Sequence, residues 1–146
     1  MDAKEYKRLS DKKAPKSPIL KNCIWAFLVG GSICTLGEAL SKLYKGFGIE
    51  EEIASSLVSV TLIALSMIFT GLGLYPKLAK HAGAGTVVPI TGFANAVSSS
   101  AIEAKSEGYV LGVGANMFKI AGPVIVYGIT ASTVCGFIYW LITEVL

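Results

Sequence analysis

Charge is scarce in this sequence. Asp, Glu, Lys and Arg make up only 16% of its 146 residues, against roughly 25% in an ordinary soluble domain. Hydrophobic residues reach 53%, and the mean hydropathy is +0.61. That balance excludes a disordered chain and argues against a soluble enzyme. Histidine is nearly absent, with His81 alone. The three cysteines, Cys23, Cys34 and Cys135, are odd in number and share no CxxC spacing. A disulfide framework or a zinc site does not fit that pattern, and buried free thiols are the expected state. No P-loop, GxSxG or HExxH occurs, and neither Gly83-Ala-Gly85 nor Gly112-Val-Gly114 has the third glycine of a dinucleotide fingerprint. Close helix packing explains both pairs better. With no nucleophile–base pair, no metal set and no cofactor motif, the sequence calls for neither enzyme chemistry nor a cofactor.

What charge there is has been segregated. Residues 1–21 hold seven Lys/Arg and three Asp/Glu, while the other 125 residues hold six and seven. The basicity therefore belongs to a tail and builds no nucleic-acid face. Pro15 and Pro18 interrupt that tail, and no cleavage site follows it, so a cytosolic tail without ordered structure over 1–21 is expected, not a signal peptide. Residues 22–146 form the membrane domain.

Charge also punctuates that domain. Uncharged runs cover 22–37, 53–76, 82–102, 108–118 and 120–143. Ile53–Pro76 and Ile120–Thr143 are 24 residues each, about 36 Å as helices, enough to cross a ~30 Å hydrocarbon core with tilt. The first run becomes a span if extended past Glu38. The pattern predicts an all-α integral membrane protein with full spans near 22–43, 53–75 and 120–143. A broken, re-entrant central element is expected over 82–118; the alternative is a fourth span from 84–102 and 108–118. Lys/Arg number seven before the first span and two in each of the next two loops, which places the N-terminus in the cytosol. Glu50, Glu51 and Glu52 suit a helix N-terminus better than an ion site.

The central run differs in kind. Ile53–Pro76 has 13 bulky apolar residues, whereas Ala82–Ile102 has six. Gly83, Gly85, Pro89 and Gly92 should break any helix before Phe93. Non-helical backbone at membrane depth needs protein or a water-filled cavity around it. If Phe93–Glu107 is helical, Asn95, Ser99, Glu103 and Glu107 share one face. Lys105 interrupts the acids, and Lys119 follows Asn116 by one turn. Asn95, Ser99, Glu103, Lys105, Asn116 and Lys119 are therefore candidates for a transport path. Spacing alone leaves open a short surface loop over Glu103–Gly108.

Several blocks resemble one family. They are the GAG…VPITGFAN stretch over 83–95, Lys105-Ser-Glu-Gly108, Asn116-Met-Phe-Lys119, Lys21–Gly37 and Thr70–Tyr75. Together they resemble the SpoVAC/SpoVAEb family of endospore-forming bacteria from about Pro18 to the C-terminus. The charged tail points to its longer members. Glu38 stands where an amide is common.

The resemblance implies a channel-like, tension-responsive component of the system that carries dipicolinic acid, largely as calcium dipicolinate, into the developing spore and out in germination. It implies the inner membrane of the forespore or spore, and other membrane and soluble subunits of the same complex as partners. A homo- or hetero-oligomer is expected, because three or four short helices enclose too little volume for the solute. Gly30-Gly31, Gly71-x-Gly73 and Gly83-x-Gly85 are possible close-packing faces for neighbours. The rival function is a non-conducting scaffold that recruits soluble partners.

Overall fold

The computed structural model describes residues 5–7 and 18–145. The tail expected over 1–21 lies, apart from 5–7 and 18–21, outside the described residues. Among the described residues every regular element is helical. Helix α1 is Ile19–Gly46, α2 Glu51–Gly71, α3 Tyr75–Ala82, α4 Ala84–Val87, α5 Ile90–Glu103 and α6 Ala115–Trp140. A 3₁₀ turn, Ala104–Glu107, and a π-helical turn, Tyr109–Gly114, join α5 to α6. The protein is an all-α membrane protein. Three stretches are long and apolar enough to cross a membrane: Ile19–Gly46, Glu51–Gly71 and Tyr109–Glu144.

Helices α1 and α2 form a hairpin. Gly48 (φ +79°) follows α1, with Gly48 N–H bonded to Lys45 O and Ile49 N–H to Tyr44 O. Gly73 (φ +68°) repeats the arrangement after α2, with bonds to Thr70 O and, from Leu74 N–H, to Phe69 O. Both are Schellman closures, which satisfy the last carbonyls of a helix and require a left-handed residue. Glu51 and Glu52 occupy the first turn of α2, where acids favour the helix dipole. Lys45 bonds Glu51 at 2.6 Å across the turn, and Lys42 lies 3.5 Å from Glu38. The Tyr44 hydroxyl lies 2.8 Å from Thr61 Oγ1, tying the two helices together.

The centre is broken, but at positions that refine the sequence reading. Breaks fall at Gly83 (φ +50°) and at Pro89, whose extended backbone (ψ 161°) caps α5. Gly92 does not break the helix; α5 begins at Ile90 and runs through it. A Cβ there would collide with the carbonyls of Thr86 and Val87, so glycine permits the fold-back of α4 onto α5. At 14 residues, α5 reaches only about 21 Å, too short for a fourth crossing.

The break ends earlier than 118. Gly108 (φ +95°) turns the chain, and the helix from Tyr109 onward is continuous with the last span. The close packing expected of the Gly112-Val-Gly114 pair is found at Gly112. Gly112 packs against the 3₁₀ turn, where a Cβ would sit 2.8 Å from the Glu107 carbonyl carbon.

The thiols require a correction. Cys23, Cys34 and Cys135 are free, but all three are exposed. An apolar run buries a small side chain equally well in lipid or in protein, so hydropathy cannot tell these positions apart.

Candidate functional site

Two polar features flank the central break. The first is a buried network. Tyr75, in the first turn of α3, donates its hydroxyl to Thr86 O at 2.8 Å and lies 3.0 Å from Thr91 Oγ1. Ser66 of α2 donates to Thr91 O at 2.6 Å. Thr70, one turn further, lies 2.7 Å from Ser66 O and 2.8 Å from Asn95 Oδ1; its single proton serves one of them at a time. Thr86 is fully buried, and Tyr75, Ser66, Thr70 and Thr91 are nearly so. The missing N–H of Pro89 and the turn before it free backbone carbonyls. Tyr75 supplies a donor to one of them, so on its buried side, at Thr86, the broken backbone is satisfied by protein.

The second feature is a polar recess of about 210 Å³ lined by Ser100, Glu103, Ala104, Glu107 and Asn116. Helix α5 brings Ser100 and Glu103, the 3₁₀ turn brings Glu107, and the first turn of α6 brings Asn116. Asn116 donates to Gly112 O at 2.9 Å, inside the π-helical turn, and Lys119 Nζ lies 3.5 Å from Asn116 Oδ1. Pro123 lies inside α6, so the Lys119 carbonyl lacks its intrahelical donor. Among the described residues neither Glu103 nor Glu107 is in an ion pair with a basic side chain.

The structure thus brings Glu103 and Asn116 together and places Lys119 beside them. Ser99 sits half-buried one turn above Glu103 and bonds back to Ala96 O at 3.1 Å. Asn95, also half-buried, is turned toward Thr70 in the buried network and away from the recess. Lys105 is exposed on the 3₁₀ turn and does not line the recess. Of the glycine and proline breaks, Gly83 and Pro89 sit at helix ends. Gly85 packs face to face with Gly30 of α1, its Cα 3.4 Å from a Cβ built there. Gly30 and Gly85 therefore serve packing within the chain, while Gly31 and Gly71 remain open.

Sequence reasoning missed Ser66, Thr70, Tyr75, Thr86, Thr91 and Ser100. Tyr75 looked like the outer end of a span, and serines and threonines in apolar helices commonly bond back to their own helix. The usable signal was the coincidence of Ser66 and Thr70 on one face of α2.

Comparison with known proteins is consistent across nearly the whole chain. The family model for the SpoVAC/SpoVAEB sporulation membrane protein matches residues 22–138. The chain is 48% identical over 134 residues to the stage V sporulation protein AC of Bacillus subtilis (strain 168), covering 91% of this chain and 89% of that protein. No solved structure matches the chain.

Proposed function

The chain belongs to the SpoVAC/SpoVAEB family of sporulation membrane proteins, and from that premise we propose that it is a channel component for dipicolinic acid. Its solute is the calcium chelate, taken up by the forming spore and released in germination across the spore's inner membrane. Dipicolinate is a dianion, so the 1:1 calcium chelate is formally neutral. A path for such a solute needs hydrogen-bonding groups and balanced charge instead of a ring of one sign.

The observation that carries this reading is the recess at the α5–α6 junction. It combines two carboxylates, a serine and an amide, with Lys119 one turn beyond Asn116. It lies where the helix is interrupted by a 3₁₀ turn, Gly108 and a π-helical turn. Irregular backbone of that kind can change shape, as gating requires. Glu103, Asn116 and Lys119 are the residues proposed to meet the solute, with Ser99 and Asn95 continuing the polar face toward the buried network. Lys105 is proposed to act at the mouth. A recess of this size is smaller than a conduit, so the path is completed by further copies or by other subunits of the transport complex.

The test is electrical and chemical together. The purified chain in a planar bilayer should conduct under applied tension and pass calcium dipicolinate, alone or with its partner subunits. A chain that inserts and recruits partners, yet never changes bilayer permeability in any combination, is the non-conducting scaffold.

A further inference from the structure

The two ends of the helical hairpin treat their basic residues differently. At the α1–α2 turn, Lys42 pairs with Glu38 at 3.5 Å and Lys45 with Glu51 at 2.6 Å. At the opposite end, where α1 begins and α3 ends, Lys77, Lys80 and His81 are exposed, and among the described residues none pairs with an Asp or Glu.

These residues are arranged by one short amphipathic helix. In α3, Tyr75, Ala79 and Ala82 recur at i, i+4 and i+7; Tyr75 and Ala82 are buried and Ala79 half-buried. Lys77, Lys80 and His81 fall on the outer face. The C-terminal end of α3 and the first turns of α1 enclose an open recess of about 390 Å³, in which Lys80 and His81 face Asn22 and Cys23. The α1 N–H groups of Ile19–Lys21 have no intrahelical acceptor and add positive potential at that end. Lys21 stands beside Asn22, and Trp25, one turn on, is exposed on α1. Exposed tryptophan at the end of a span marks the headgroup level of a bilayer.

We propose that this recess seats the phosphate of an anionic phospholipid headgroup. Lys80 and His81 reach the phosphate, Lys21 and Lys77 flank it, and α3 lies in the membrane interface with its basic face outward. A zwitterionic headgroup brings its own cation to the same place and gains less. Anchored in this way, α3 couples the headgroup layer to Gly83 and α4, and so to the central break.

The experiment compares the full chain in vesicles of phosphatidylcholine and of an equal mixture with phosphatidylglycerol. Native mass spectrometry of the released protein reads which lipid is retained. The wild-type chain should retain phosphatidylglycerol preferentially. Each of Lys77→Gln and Lys80→Gln should lower that preference by about fivefold, the attraction one basic side chain adds near an anionic surface. Lys80→Arg should keep the preference, and Lys42→Gln, at the paired end, should leave it unchanged. Helicity by circular dichroism checks that each variant is folded. Equal retention of both lipids by the wild-type chain would overturn the proposal whatever the variants do. Displacement of the lipid by inorganic phosphate would do the same, assigning the recess to a free anion.

Discussion

Gly85 lies so close to Ala26 that a methyl group on Gly85 would stand 2.8 Å from the Ala26 Cα. This contact joins the central break to the first span, with Gly30 on the same face one turn along. Backbone cannot move aside as a flexible side chain can, so Gly85→Ala should cost about 1–3 kcal/mol by overpacking. Gly31→Ala has nothing within 4 Å and should change stability by less than about 0.5 kcal/mol. Thermal unfolding of both variants in the same detergent checks the pair.

The Tyr75 network makes a second prediction. Tyr75→Phe keeps the ring but leaves the buried Thr86 carbonyl without its donor, which should cost about 1–3 kcal/mol. Denaturant unfolding followed by helicity measures it. A neutral result would mean that water reaches Thr86 O.

Assembly gives a third. With Gly30 and Gly85 facing each other inside the chain, Gly31 in α1 and Gly71 in α2 are two of the helical glycines left open toward neighbours. Gly31→Leu and Gly71→Leu should weaken association with further subunits while leaving monomer helicity intact. Native mass spectrometry of the complex in lipid reads the outcome; an active monomer as the sole species would remove the premise.

Topology gives a fourth. Cysteine introduced at Ser10 should be labelled from the cytosolic side, and cysteine at Ile49, in the α1–α2 turn, from the other. These follow from the Lys/Arg distribution and from α1 as one full span. Ser10→Cys protected on the cytosolic side would reverse the orientation.

The long helices were legible because charge ends an apolar run at both sides of α2 and at the N-terminal side of α1. The start of the last span was not. Gly108–Phe118 is glycine-rich, and although close packing was legible at Gly112, its partner, the 3₁₀ turn at Glu107, was not. Propensity places Gly92 outside the helix, and the close approach of Thr86 O places it inside. The Pro89 break was visible from its missing N–H, but what satisfies the freed carbonyls was not. Tyr75 is eleven residues from its acceptor and belongs to another helix. At the recess, the i, i+4 spacing put Ser99, Glu103 and Glu107 on one side, yet it could not show that Asn95 turns toward Thr70 or that Ser100 joins Glu103. Those depend on where α2 and α6 pass, and local spacing carries no information about either.

The central claim is that solute passes the α5–α6 recess, and Glu103 tests it most directly. The measurement is release of calcium dipicolinate from vesicles holding the chain and its partner subunits at matched incorporation, with single-channel current recorded in parallel. Glu103→Gln should insert normally but change release by roughly tenfold, a barrier difference of about 1.4 kcal/mol, and shift ion selectivity. Lys105→Gln, outside the recess, should have a smaller effect. Wild-type release and wild-type current from Glu103→Gln would contradict the account and return Glu103–Gly108 to an exposed surface loop.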